Sequence, residues 1–393
     1  MKLKRRSIVF LSIILLCFFT GCAPAEKDDM EGAEVEKDSN VLKESERLAE
    51  KYREVYEEAE QMETLGTEET QKNIIAALGA EGYCAVDSEN QINMTNEKSA
   101  EQFCEKASKG EKAEISLFIV ADNGGVVRYD LSCEEGKMEV DRSNLTWNEE
   151  GNPCAEQVDS YTAKEWKYTE KGYLFLELER PAGFDGPSGH TALRIKPLDE
   201  NLRQWTKKCL IPVGYAGNNL FITDWSSEDW GQLCLYDLFE PFYKMKNGEE
   251  KIFDAKVGTK EYAIPEGEFE SVIQTFLPVD IQILRMEEGY DTENGYYKYR
   301  QRGQYDIGGN PDTPYPEVVE CIENGDGTVT LTVDAVWKKK NTDRAFTHKV
   351  QIYPQADGTF LYLSNQIEPS GENQIPDYVP RLSDEEWEQY YQK

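Results

Sequence analysis

Between Ile115 and Val140 the chain sets three apolar runs, Ile115 to Val120, Val126 to Cys133 and Met138 to Val140, with Asn123-Gly124-Gly125 and Glu134-Glu135-Gly136 in the connections. Links so short join antiparallel neighbours, since a parallel partner needs a crossover of about a dozen residues or more. Thr162 to Tyr168 and Tyr173 to Glu179 extend the pattern around Glu170-Lys171-Gly172. Ahead of them, Ile74, Ile75 and Leu78 share one face of a helix over Glu68 to Leu78 that Gly79 ends, a strand covers Gly82 to Val86, and a second helix covers Glu97 to Ala107. Residues 67–185 therefore read as an α+β region, two helices on an antiparallel meander.

The Gly- and Pro-bearing loop Pro181 to Gly189 marks a boundary, and residues 186–393 read as a second α+β region. It opens with a strand at Thr191 to Ile195, a helical pattern at Asn201 to Lys208 and the apolar runs Leu210 to Tyr215 and Leu220 to Ile222. Ser226 suits the N-cap of a helix carrying Trp230, Leu233, Cys234 and Leu238. The cleanest helix is Glu266 to Phe276, where Phe269, Val272, Ile273 and Phe276 follow the helical repeat behind Pro265. Val329 to Trp337, Phe346 to Tyr353 and Phe360 to Leu363 then alternate as strands, so that helix should cover an antiparallel sheet. Ser383-Asp384-Glu385-Glu386 is a capping box opening a last short helix. The fold class is α+β, antiparallel sheets with a few covering helices.

A net charge of −32 repels nucleic acid and anionic headgroups at long range, leaving cationic partners and divalent ions possible; no nucleic-acid partner is expected. Residues 22–66 hold an acidic segment, disordered from Ala23 to about Asn40, then an amphipathic helix through Leu42, Leu48, Tyr52, Val55, Ala59 and Met62. Cys84, Cys104, Cys133, Cys154, Cys209, Cys234 and Cys321 contain no CxxC, are odd in number, and several stand where small hydrophobes belong. Buried free thiols are the favoured reading, with two or three disulfides as its rival.

Little of the chain carries catalytic patterning. Of the two histidines, His348 shares strand parity with Phe346, Val350 and Ile352, which makes it a core histidine before a catalytic one. His190 follows Gly186-Pro187-Ser188-Gly189, but neighbours in one loop rarely meet in nucleophile–base geometry and no GxSxG elbow is present. Asp224, Glu228 and Asp229 beside Trp225 and Trp230 suggest a carboxylate pair for glycoside hydrolysis; a helix N-terminus with core tryptophans is the simpler reading. Glu323-Asn324-Gly325-Asp326-Gly327-Thr328 and Asp291-Thr292-Glu293-Asn294-Gly295 are turns before they are calcium loops, lacking the spaced acidic series and its terminal Glu. No catalytic residue, cofactor or metal ligand is assigned.

Lys2, Lys4, Arg5 and Arg6 precede an apolar stretch from Ser7 to Thr20 that is too short to span about 30 Å of hydrocarbon, and Phe19-Thr20-Gly21-Cys22 closes it. This arrangement resembles a bacterial lipoprotein signal, with Phe19 where Leu is usual. The resemblance implies a signal peptide over residues 1–21, cleavage after Gly21, a diacylglycerol thioether on Cys22, and a chain held on the extracellular face of the cell membrane through that lipid. Gly82-Tyr83-Cys84-Ala85-Val86-Asp87, His190-Thr191-Ala192-Leu193-Arg194, Asn218-Asn219-Leu220-Phe221 and Pro380-Arg381-Leu382 resemble an uncharacterised family of lipoproteins from anaerobic Gram-positive bacteria, from about Thr70 onward. That resemblance implies a lipid-anchored extracellular protein and transfers no activity. The expectation is a non-enzymatic binding or envelope-associated module whose protein or small-molecule partner the sequence does not name. The alternative is an extracellular carbohydrate-active hydrolase using an Asp/Glu pair, which would line a cleft with aromatic side chains instead of burying them.

Overall fold

The computed structural model describes residues 27–180, 189–254, 258–286, 289–303, 305–306 and 312–391, with side chains from residue 36. Gly21, Cys22 and Ser188 lie outside the described residues. The elements are mixed helices and mainly antiparallel strands, an α+β fold.

The first sheet contains β1 (Cys84–Asp87), β2 (Ala113–Val120), β3 (Val126–Glu134), β4 (Lys137–Trp147), β5 (Pro153–Ala155), β6 (Asp159–Tyr168), β7 (Tyr173–Leu178) and β8 (His190–Arg194). Their order is β1-β2-β3-β4-β6-β7-β8, with β5 on β4. From β2 onward every pairing is antiparallel, as the short turns require. β1 departs from the expected meander: it runs parallel to β2 because α4 (Glu97–Ser108) supplies the crossover between them.

Helices occupy both faces. α4 buries Ala100, Phe103, Cys104 and Ala107 against Leu117, Leu131 and Val140, while α1 (Lys27–Ala49), the 3₁₀ turn Glu50–Tyr52, α2 (Arg53–Gln61) and α3 (Glu68–Ala80) gather Leu48, Tyr52, Tyr56, Ile74 and Leu78 over Phe118, Val120 and Val126. The strand alternation sorts the residues, Cys84 and Val86 to one side and Ala85 to the other.

Three sequence expectations need correction. The stretch to Asn40, read as disordered, is helical from Lys27. Its scarcity of large hydrophobes argued against packing, but Glu, Lys and Ala are strong helix formers, and the docked half around Leu48 supplies the costly nucleus from which helix propagates. The boundary at 186 falls inside a hairpin, because β8 pairs with β7, Leu174 opposite Leu193 and Leu176 opposite Thr191. The helix expected from Ser226 is a tight turn instead. Ser226 Oγ accepts from Asp229 N at 3.1 Å as a cap should, but Gly231 at φ +56° turns the chain out of helical space. Helix resumes only at α6 (Phe239–Asn247), after α5 (Glu200–Trp205), β9 (Trp225–Ser226) and a 3₁₀ turn Tyr236–Leu238.

The C-terminal half holds β10 (Glu261–Pro265), α7 (Glu266–Phe276), α8 (Ile281–Leu284), β11 (Tyr290–Asp291) and β12 (Tyr296–Arg300), then β13 (Tyr315–Glu323), β14 (Val329–Val336), β15 (Thr347–Pro354), β16 (Phe360–Ile367) and α9 (Asp384–Tyr391). Sheet order is β10-β12-β11 in one and β13-β14-β15-β16-β9 in the other. α7 lies where the sequence places it. Phe269 stacks on Phe239 at 5.0 Å and on Tyr297 at 4.1 Å, joining α6, α7 and β12 in one aromatic core. The last helix is capped as expected: Ser383 N donates to Glu386 Oε2 at 3.0 Å and Glu386 N to Ser383 Oγ at 3.4 Å.

Candidate functional site at the junction of the two halves

A buried polar cluster joins β7 and β8 to β13 and β14. Glu317, on β13, accepts from Arg194 Nη1 of β8 at 2.9 Å and from Tyr173 OH of β7 at 2.6 Å. Tyr315 OH donates to Tyr173 OH at 3.1 Å, and the Arg194 guanidinium lies 5.1 Å from the Tyr173 ring centroid. Asn90 clamps the group from the loop after β1, its Oδ1 accepting from Arg194 N at 2.8 Å and its Nδ2 donating to Ala192 O at 3.0 Å. That loop is shaped by Asp87, which accepts from Gln91 N at 2.8 Å and Ile92 N at 2.7 Å. Beneath it Arg203 of α5, 2% exposed, donates to Asn90 O and Asn93 Oδ1. At the flank Lys171 pairs with the buried Asp334 of β14, which also accepts from Thr347 Oγ1 at 2.6 Å.

The electrostatics follow from burial. Desolvation pushes Glu317 above the ordinary carboxylate range and Arg194 opposes it. Desolvation, then repulsion from Arg194, lowers Arg203 from its usual value. Arg194 and Arg203 share the Glu317 carboxylate, the buried Asp87 also attracts Arg203, and the Nε atoms of both guanidiniums are buried without a hydrogen bond. Chemically the cluster is an ion-pair and phenol network that fixes two sheets against each other, with Arg194, Arg203 and Lys171 set against Glu317, Asp87 and Asp334. Sequence reading passed over Glu317, Tyr173 and Arg203. The available signal was Glu317 itself, a charge between Pro316 and Val318 in a run of buried strand positions.

A second cluster ties down the C-terminal segment. Asp237 accepts from Arg302 Nη2 and Tyr378 OH, both at 2.6 Å, and pairs with Arg381, whose guanidinium lies 4.7 Å from the Tyr236 ring centroid. Burial alone would raise Asp237, but Arg381 and Arg302 outweigh it and hold its carboxyl below the ordinary range.

The candidates from sequence lie apart from both clusters. His348 is in the core, as its parity implied. Its ring meets Tyr215 OH through Nε2 at 2.8 Å and Asn365 Oδ1 through Nδ1 at 2.6 Å. Because Asn365 Nδ2 donates to Thr223 O, the amide oxygen accepts from Nδ1–H and Nε2 accepts from the tyrosine. His190 is half-buried on β8, opposite Glu177. Asp224 accepts from Ile367 N at 2.7 Å, Asp229 from Gly231 N at 3.1 Å, and Glu228 is exposed, while Trp225 is buried and stacks on Trp230 at 5.5 Å. Their simpler reading as a helix N-terminus is corrected to the turn after β9. Asp326 accepts from Thr328 N and Oγ1 in the β13–β14 turn, and Asp291 from Glu293 N and Asn294 N before β12, each the local bond of an Asx turn. Among the described residues no group of three or more His, Cys, Asp or Glu is arranged to hold a metal ion. All seven cysteines after Cys22 carry free thiols; Cys84, Cys104, Cys133 and Cys209 are buried and Cys154 is exposed.

The chain is thus a mixed α+β protein whose polar clusters are built into its packing, and among the described residues no helix is long and apolar enough to cross a membrane. It belongs to a family of unknown function, DUF6070, which it matches over residues 38–381. That span begins within α1 and ends at Arg381, taking in both clusters. No curated protein and no solved structure matches.

Proposed function

We propose that this is a lipid-anchored protein of the extracellular membrane face, a non-enzymatic binding or envelope-associated module. The observation carrying the reading is the run Phe19-Thr20-Gly21-Cys22 after a basic and apolar leader. The way the chain leaves that end supports it. α1 runs from Lys27 into the body, where Arg128 Nη1 donates to Glu44 Oε2 at 2.9 Å and Tyr83 OH to Glu44 Oε1 at 2.6 Å. A lipid at Cys22 would therefore be joined to the folded body through a docked helix.

The hydrolase alternative loses support on its own criterion. Asp224 and Asp229 are committed to backbone amides, and the large aromatic side chains Trp225, Tyr173, Tyr297 and Tyr299 are buried in the packing. Detergent phase partition of membranes from cells expressing the chain or its Cys22→Ala variant tests the anchor. The parent chain should enter the detergent phase and the variant the aqueous phase; a variant that stays with the detergent overturns the reading.

A further inference from the structure

The loop between β14 and β15 stands beside the junction, its 3₁₀ turn Lys338–Lys340 in contact with β8. All three lysines are exposed. Their charges are lightly held: Lys339 Nζ is 3.7 Å from Asp312, Lys340 Nζ is 5.6 Å from the Trp337 ring centroid, Lys338 lies within electrostatic reach of the Glu89 carboxylate without a direct ion pair, and the exposed Arg344 has no ion pair among the described residues. The backbone presenting them is fixed. Trp337 N donates to Thr342 O at 2.7 Å, Lys340 N to Trp337 O at 3.1 Å and Asn341 N to Lys338 O at 3.1 Å.

The same loop carries polar atoms that the protein does not satisfy. Trp337 Nε1, Asn341 Oδ1 and Asp343 Oδ2 are buried without a hydrogen bond, and Asn341 is only 6% exposed. Leaving such a group unpaired costs about 1–3 kcal/mol, so one donor and two acceptors within seven residues mark a place prepared for another molecule's polar groups. An anion suits the lysines. Hydroxyl groups suit Asn341 Oδ1 and Asp343 Oδ2, which accept, and Trp337 Nε1, which donates.

We propose that the Trp337–Arg344 loop binds an anionic, hydroxyl-rich ligand of the class of phosphorylated or uronate-bearing polyols and glycans. The proposal rests on the binding-module reading and names its ligand class. The chain's net charge of −32 does not oppose it at contact range, because repulsion from charges beyond about 8 Å is screened at physiological salt. A loop of fixed backbone gives up little entropy on binding.

The test is calorimetric titration of the full chain in detergent with a glycerol-phosphate oligomer, with polygalacturonate and with neutral dextran. At least one of the two anionic polymers should bind and dextran should not; which one binds tells a phosphate source from a carboxylate one. The combined Lys338→Gln, Lys339→Gln, Lys340→Gln variant should lose affinity about tenfold or more. Asn341→Gly, which keeps the left-handed φ of +49° without strain, should weaken binding and leave its salt dependence unchanged. Binding of neither anionic polymer, equal binding of dextran, or an unchanged affinity in the triple-lysine variant overturns the proposal. None of these readouts depends on a lipid at Cys22, whose absence would appear only in the partition experiment.

Discussion

Glu317 and Arg194 meet at 2.9 Å across the two halves of the fold, with 7% and 8% of their side chains exposed. Removing one partner strands the other's charge in low dielectric, whereas removing both leaves mainly packing to repair. Arg194→Met should therefore destabilise the protein by about 3–5 kcal/mol, and Arg194→Met with Glu317→Leu by clearly less than the sum of the single changes. Urea unfolding of the three variants measures this, and additivity would show that the contact contributes nothing of its own.

Burial pushes the His348 imidazole down from its ordinary value to about 4, against the hydrogen bond it donates to Asn365 Oδ1. Its folded value lies below its unfolded one near 6.5, so the unfolded chain takes up the proton first. The stability that neutral His348 contributes is complete above about pH 6.5 and is lost as the pH falls from there towards 4, up to about 3 kcal/mol. Unfolding free energies of the parent chain and His348→Phe, compared at pH 7 and pH 4.5, should converge at the lower pH. A constant difference would contradict the assignment.

Thiol reactivity should divide the cysteines by burial. Desolvation raises the Cys84 thiol to about 11 and Cys104 to about 12, while Cys154 is exposed. Iodoacetamide without reductant should label Cys154 in the folded protein and the buried sites only after denaturation, read by peptide mass spectrometry. Sites that stay unlabelled in denaturant would reveal disulfides.

Calcium should leave the melting temperature within about one degree of its metal-free value, because Asp326 Oδ1 and Asp291 Oδ1 each accept two bonds within their own turns and, among the described residues, neither joins a group of acidic side chains arranged to hold a metal ion. A rise of several degrees in millimolar calcium would reinstate those loops as cation sites.

What the sequence disclosed follows from how far each signal reaches. The turns at Gly124 and Gly136 and the stripe of Phe269, Val272, Ile273 and Phe276 are local, and the β2–β3–β4 hairpins and α7 appear where they indicate. The parallel pairing of β1 and the β8 strand that closes the first sheet depend on partners about thirty and about fifteen residues away, beyond any turn signal. Ser226 shows a correct local bond with a wrong conclusion, since the cap forms and Gly231 still ends the helix before it starts. The junction was least legible. Glu317, Arg194, Asn90 and Arg203 come from four separate segments, and apart from Glu317, set between Pro316 and Val318, each alone resembles an ordinary surface residue. Three of the four phrases behind the family resemblance nonetheless carry residues that pin the two clusters or their loop: Asp87, Arg194 and Arg381.

The central claim concerns residues 21 and 22, and intact-mass and N-terminal peptide analysis of the chain recovered from membranes reads them directly. The account predicts a first residue of Cys22 bearing a diacylglycerol adduct, with residues 1–21 absent. A mature chain that begins elsewhere, or that begins at Cys22 with an unmodified thiol, would contradict it.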